Sequence, residues 1–166
     1  MPTLDDLSRI GVTERVWQKY CGFLDLSIAD FMEIQENLLL EQLSLVSGSQ
    51  LGRKILGASQ PTTVDDFRRT VPITTYADYQ PYLGERQDDA LSEKPLWWVY
   101  TSAQSGSCKW APFTERAVDR LLDTMMGALI LAAASRKGEV NIQTGARALF
   151  NMAPRPYLAG YLTLGM

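Results

Sequence analysis

The chain changes character at Pro95, and this change limits the folds that it can adopt. Before Pro95, apolar residues recur every three or four positions, which is the period of an amphipathic α-helix. After it, residues 96–100 are aromatic and β-branched, which is typical of a buried strand. A polar loop, a second strand and a long helix follow. The sequence therefore predicts an α/β fold, in which a helical N-terminal section precedes the start of a sheet layer.

Capping residues predict the helix boundaries before Pro95. Ser27 can cap the strongest helix with Asp30 three residues on, and Gly48 ends it. The predicted apolar stripe of this helix comprises Ile28, Phe31, Met32, Leu38, Leu39, Leu43 and Val46. Shorter helices are predicted over residues 13–21, 49–57, 64–69 (capped by Thr62 or Thr63) and 76–83 (capped by Thr74 or Thr75). Pro81 is expected to kink or end the last of these, and residues 84–94 are expected to form a surface connection.

The region after Pro95 is predicted to contain strands at residues 96–100 and 109–113, separated by a loop at 102–108. Thr114 can cap a long helix that Gly138 closes. The predicted stripe of this helix comprises Val118, Leu121, Leu122, Met125, Leu129 and Ala132. Another strand is predicted over residues 147–153. An incomplete sheet would then leave exposed apolar residues at 148–152 and 157–162.

Composition excludes several functional classes. The 166 residues carry a formal net charge of -3, which argues against nucleic acid or an anionic membrane as the partner. The absence of histidine removes Ser-His-Asp and Cys-His catalysis and His-ligated zinc. The longest apolar run, residues 125–134, is half the length of about 20 residues that a membrane span needs. Cys21 and Cys108 make no C-x-x-C pair, which predicts two free thiols in a cytoplasmic protein.

The loop in 101-TSAQSGSCK-109 has the composition of a phosphate-binding loop. Small residues after a strand allow several backbone N–H groups to converge, while hydroxyls and a lysine add donors and charge. The candidate phosphate contacts are Thr101, Ser102, Ser105, Gly106, Ser107 and Lys109. The pattern is not G-x-x-x-x-G-K-[ST], so it is not a Walker loop. On composition alone, the phosphate signal is weak, and a polar turn between two buried elements is the favoured interpretation.

This segment resembles, without gaps, the phosphate loop T-S-G-[ST]-[ST]-G-x-P-K of adenylate-forming enzymes. Thr101, Ser102, Ser105, Gly106 and Lys109 match position by position. Ala103, Gln104 and Cys108 stand where that pattern has glycine, Ser/Thr and proline. With 67-FRRTVPITTYADYQPYL-83, 109-KWAPFT-114 and 154-PRPYLAGY-161, the chain resembles the auxin-responsive GH3 family of plant acyl acid amido synthetases and their bacterial relatives, and looks like a bacterial-type member.

The resemblance implies a fold, a reaction and a set of ligands. Residues 1–166 would be the N-terminal part of a single larger adenylating domain, mainly helical over 1–94 and strand-loop-helix-strand over 95–166. ATP and a small carboxylic acid would give an acyl-adenylate and pyrophosphate with the help of Mg²⁺, and an amine such as an amino acid would then take the acyl group. The five matching residues would contact ATP, and no catalytic or metal-ligating residue is assigned.

The resemblance also implies that the remaining active-site residues lie in a C-terminal remainder of the same chain, so we expect residues 1–166 to be inactive alone. The alternative is a non-catalytic module that keeps the fold without nucleotide binding. Trp97, Trp98 and Trp110 are interpreted as packing residues rather than a ligand platform. The block at residues 72–82 is interpreted as capping and aromatic packing, without a catalytic role.

Overall fold

A computed structural model of the chain describes residues 4–57, 59–101, 108–142 and 151–162, with residues 4–11 described as helix backbone only. Seven α-helices and two strands lie in these ranges: α1 (Leu4–Cys21), α2 (Ile28–Ser47), α3 (Gln50–Leu56), α4 (Val64–Thr70), α5 (Tyr76–Leu83), β1 (Trp97–Tyr100), β2 (Trp110–Phe113), α6 (Glu115–Ala133) and α7 (Leu158–Leu162). Short 3₁₀ turns occupy Gly22–Asp25 and Asp88–Ala90. The predicted α/β class, with a helical section before the first strand, is confirmed.

The helix starts that the capping residues predict are confirmed. The hydroxyl of Ser27 accepts the backbone N–H of Asp30, whose carboxylate accepts the Ser27 N–H and hydroxyl in return. Ser49 and Thr63 cap α3 and α4 by accepting from N–H groups three residues on. Gly57 follows α3 with a φ of 61°, a conformation that glycine adopts without a side-chain clash.

Two predicted helix boundaries are wrong. The first helix begins at Leu4 instead of Thr13. α6 ends at Ala133, before Gly138, because the Glu139 carboxylate accepts the Ser135 N–H at 2.9 Å and turns the chain there. By contrast, the predicted span of α5, residues 76–83, is confirmed, and the helix continues past Pro81 because the φ of proline suits a helix and the Gly84 N–H closes the last turn on the Gln80 carbonyl at 2.8 Å.

The surface connection predicted at residues 84–94 is mostly exposed, but it contains the 3₁₀ turn that buries Ala90. Residues 147–150 of the predicted third strand lie outside the described residues, and residues 151–153 are irregular. The exposure predicted at 157–162 is wrong, since these residues are half-buried or buried and mostly form α7. Exposed apolar side chains lie elsewhere in the described residues and include Ile73, which is fully exposed. Ile28, Phe31 and Met32 of the predicted α2 stripe are exposed as well, so that part of the predicted stripe is wrong.

The described residues divide into two compact units, the first made of residues 4–32 and 116–142. Its core consists of Trp17, Cys21 and Ile130, with partly buried apolar neighbours that include Tyr20 and Val140. Burial raises the pKa of the Cys21 thiol, which donates a weak hydrogen bond to the Gly127 carbonyl at 3.8 Å. Cys21 is therefore a protonated packing residue of this unit.

The second unit comprises residues 33–115 and 151–162 and contains both strands. β1 and β2 pair antiparallel, with Trp97 opposite Phe113 and Tyr100 opposite Trp110. Val99 is the buried residue of β1. A parallel bridge joins Tyr100 to Tyr157, and the Tyr100 N–H donates to the Pro156 carbonyl at 2.9 Å. The chain before α7 therefore lies against β1 on the side away from β2.

None of the helices in the described ranges combines the length and the apolar character that a membrane crossing requires.

Gly127 provides a test of the packing in the first unit. A Cβ atom at this position would lie 2.8 Å from the backbone carbonyl of Tyr20, which cannot rotate away. We expect Gly127→Ala to lower the free energy of unfolding by about 1–3 kcal/mol, because the overpacking outweighs the higher helix propensity of alanine. Urea denaturation measures the change. Gly48→Ala is the control, since a Cβ atom there meets nothing within 4 Å; equal stability of the two variants would contradict the packing.

Asp78 provides a pH test of the start of α5. Its carboxylate accepts the Thr75 backbone N–H at 2.7 Å and the Thr75 hydroxyl at 3.0 Å, which lowers its pKa below the usual 3.8. A lowered pKa in the folded state gives stability that is present above pH 4 and is lost as the pH falls through the folded value. Asp78→Asn should therefore lower the urea midpoint at pH 7 and flatten its acid dependence. The exposed Asp89→Asn is the control, and an unchanged acid profile in Asp78→Asn would refute the contact's role.

Candidate functional site

The predicted phosphate loop connects the two strands of the antiparallel hairpin. At its base, the Thr101 N–H donates to the Lys109 carbonyl at 2.9 Å, and the Lys109 N–H donates to the Thr101 hydroxyl oxygen at 3.3 Å. The structure thus brings together the first and last of the five predicted contact residues. Ser102, Ser105 and Gly106, with Ser107, lie outside the described residues.

Thr101 and Lys109 keep the chemical groups that an anion would need. The Thr101 hydroxyl uses a lone pair to accept from Lys109, so its own proton remains available to a ligand. Thr101 is exposed and Lys109 is half-buried. Within the described ranges, Lys109 forms no ion pair with a carboxylate. No described side chain therefore neutralises its positive charge.

Tyr76 is a member of the site that the sequence prediction missed. It is the first residue of α5, and its hydroxyl donates to the Trp110 carbonyl at 3.2 Å. The Lys109 ammonium lies over its ring, 5.1 Å from the centroid, within the range of a cation–π interaction. One aromatic side chain therefore contacts both the lysine and the strand residue that follows it. In the sequence, Tyr76 is recognisable only as an aromatic residue next to a helix cap, and this pattern also fits a residue that only packs.

The tryptophans predicted to pack have partners in this unit. Trp110 stacks on Tyr100 with ring centroids 3.9 Å apart, and the guanidinium of Arg86 lies 4.8 Å from the same ring. Trp97 stacks on Tyr161 at 5.0 Å. The Trp98 indole N–H donates to Asp88 at 2.9 Å. Each of the three rings is therefore held by another side chain, in agreement with a packing role.

Cys108 lies at the other end of the loop from Thr101, next to Lys109. Its thiol is 3.8 Å from the Tyr157 hydroxyl, and this hydrogen bond raises the pKa of Tyr157. Both cysteines of the chain are free. Since Tyr157 also bridges to Tyr100, the loop is connected at both ends to the segment before α7.

Charged residues in the first unit line a separate cleft of about 780 Å³. Trp17 forms part of this cleft, and its buried indole N–H has no hydrogen-bond partner among the residues that the structure describes. The charged side chains of the cleft include Asp25, which pairs with Lys137, and Arg136, which lies 4.0 Å from Glu139. None of the predicted site residues lines it. These two pairs take up four of the charged side chains of the cleft, and Glu14 is a further one.

The described residues fit the phosphate part of ATP better than they fit a protein-held metal. Thr101 and Lys109 offer a hydroxyl and a cation at the base of the loop. The described ranges contain no group of three or more His, Cys, Asp or Glu side chains that could hold a metal ion. Mg²⁺ bound with a nucleotide commonly takes most of its ligands from water and phosphate, with one or two carboxylates.

Comparison with known proteins places this hairpin in a family. No solved structure matches the chain. Over an alignment of 103 residues, which covers 55% of this chain and 17% of the relative, it is 32% identical to a protein of Oryza sativa subsp. japonica named "Probable indole-3-acetic acid-amido synthetase GH3.7". The chain thus spans about 17% of the length of that relative. A family model described as "GH3 family N-terminal domain" matches residues 21–156, which include both strands and the loop between them. The chain therefore belongs to the GH3 family.

Proposed function

We propose that this chain supplies the phosphate loop of an ATP-dependent acyl acid amido synthetase. In the first step, a carboxylate attacks the α-phosphorus of ATP, forming an acyl-adenylate and releasing pyrophosphate. In the second step, an amine, such as the amino group of an amino acid, takes the acyl group and releases AMP. Membership of the GH3 family and the likeness to the rice protein named as an amido synthetase support this proposal.

The pairing of Thr101 with Lys109 is the observation that carries the proposal. It brings the Thr101 hydroxyl, whose proton is not used in the pair, to the base of the loop beside Lys109, whose ammonium group forms no ion pair within the described residues. The leaving pyrophosphate gains negative charge as the bond to the α-phosphorus breaks, and preorganised donors lower the energy of that charge. Ser102, Ser105 and Gly106 would add hydroxyl and backbone N–H donors, as the family motif implies.

The roles of the metal and of the rest of the active site belong to the same proposal. Mg²⁺ would neutralise charge on the phosphates, held by their oxygens and by groups outside the described residues. Because the chain spans about 17% of its rice relative, we assign the reaction to the complete protein and expect residues 1–166 alone to be inactive. The acid would be a small carboxylic acid, for which indole-3-acetic acid is the first candidate from the relative's name.

The competing function is a non-catalytic module that keeps the fold but does not bind nucleotide. Ala103 is the feature that favours it, since the adenylate-forming pattern has glycine there. If that position requires a positive φ, alanine costs about 1–2 kcal/mol and places a methyl group near the phosphates. The two functions differ in whether the complete protein activates a carboxylic acid.

Carboxylate-dependent exchange of pyrophosphate into ATP tests the proposal in the complete protein. We expect exchange with indole-3-acetic acid or with another member of a panel of aryl and alkyl acids. Lys109→Ala should lower the exchange rate by about 10²–10³, the usual cost of removing one donor to a developing charge. Lys94→Ala, which removes an exposed lysine before β1, is the matched control.

The absence of exchange across the whole panel would overturn the enzyme proposal and favour the non-catalytic module. Exchange that is equally fast in Lys109→Ala and Lys94→Ala would retain the enzyme but exclude Lys109 as a phosphate contact.

A further inference from the structure

We propose that Tyr76 is the positioning residue for Lys109, holding its ammonium group in one place beside the Thr101–Lys109 pair without neutralising the charge. The inference deepens the proposed function, on which its role in ATP binding rests. It assigns a function to a tyrosine of the 72–82 block, which the sequence interpretation had limited to capping and packing.

The start of α5 and the packing around its ring fix the position of Tyr76 independently of its contact with the hairpin. It directly follows Thr75, which caps α5 through two hydrogen bonds to the Asp78 carboxylate. These bonds satisfy donors at the start of α5 and set the direction in which the helix leaves the loop. The ring of Tyr76 is half-buried, so its position is also limited by packing.

The Tyr76 hydroxyl fixes the strand residue next to Lys109. In an antiparallel pair, successive residues alternate between pointing their backbone groups at the partner strand and away from it. Thr101 and Lys109 exchange the hydrogen bond across the hairpin, whereas the Tyr100 N–H points away to Pro156. Trp110, opposite Tyr100, accordingly directs its carbonyl away from β1, where it accepts the Tyr76 hydroxyl at 3.2 Å. The tyrosine thereby ties α5 to β2 one residue from the lysine.

The ring of Tyr76 then acts on the Lys109 side chain. At 5.1 Å from the centroid, the ammonium group is attracted by the negative face of the ring. A carboxylate at this place would hold the lysine more firmly, but it would cancel the charge that a phosphate requires. An aromatic ring restricts the flexible side chain and leaves the charge intact. Such restriction is the preorganisation that a binding site gains from its supporting residues.

Chemical labelling of Lys109 tests the contact without any nucleotide. In the complete protein, the rate at which an amine-reactive acetyl ester modifies Lys109 is followed by peptide mass spectrometry. The ring holds the amino group against its face and so restricts its reaction with the ester. Loss of the ring in Tyr76→Leu should therefore speed labelling about two- to fivefold, as the usual strength of an exposed cation–π pair implies. Tyr76→Phe keeps the ring and should label at the rate of the unmodified protein.

Two further variants distinguish loss of the contact between ring and ammonium group from a general loss of folding. Tyr79→Leu removes another aromatic residue of α5, whose hydroxyl pairs with Thr74, and should not change Lys109 labelling. Pentafluorophenylalanine in place of Tyr76 keeps the ring shape but reverses its electrostatic character, so it should speed labelling relative to Tyr76→Phe. Equal labelling of Lys109 in Tyr76→Phe and in the fluorinated protein would overturn the proposal, even if Tyr76→Leu does not fold.

ATP-dependent exchange then tests the consequence for function. Tyr76→Leu should raise the KM for ATP severalfold more than it lowers kcat, with little effect when Lys109 is already replaced in Lys109→Met. An equal effect of Tyr76→Leu in both backgrounds would mean that the tyrosine acts independently of the lysine, and would overturn the positioning role. If the unmodified protein shows no exchange, the proposed function fails, while the labelling rates still decide whether Tyr76 controls Lys109.

Discussion

Trp97 to Tyr100 pair with Trp110 to Phe113 in antiparallel register, and the contacts around the candidate site depend on this pairing. Because Tyr100 lies opposite Trp110, Thr101 lies opposite Lys109, and the predicted loop is closed at its base. A slip of one residue would turn Trp110 to the opposite face and redirect its carbonyl. The hydrogen bond from Tyr76 and the stacking of Trp110 on Tyr100 both require the observed register.

The helix starts and the positions of the strands could be predicted from the sequence, because the residues that determine them lie close together in the chain. The confirmed starts of α2, α4 and α5 each use a side chain that bonds to a residue three positions later, which is Asp30, Asp66 or Asp78. The two strands were found from their aromatic and β-branched composition. Their pairing was not predicted, since composition identifies a strand but does not name its partner.

Features that depend on distant parts of the chain could not be predicted. On α6, the buried residues include Gly127 and Ile130, whereas Leu129 and Ala132 of the predicted stripe are exposed. Gly127 faces the core because only a glycine allows the Tyr20 carbonyl of α1 to approach so closely. The contact of Tyr76 with Trp110 joins residues 34 positions apart, so a reading of local patterns assigned the tyrosine to packing.

Of the five predicted phosphate contacts, some lie among the residues that the structure describes and some do not. Thr101 and Lys109 are together in the structure, Ser102, Ser105 and Gly106 lie outside the described residues, and the phosphate role of all five remains a prediction. Backbone hydrogen–deuterium exchange over residues 101–109 of the complete protein, with and without pyrophosphate, tests that role most directly. We predict slower exchange in this segment when pyrophosphate binds, because its oxygens accept the loop N–H groups. Unchanged exchange there at a pyrophosphate concentration that saturates binding would contradict the account.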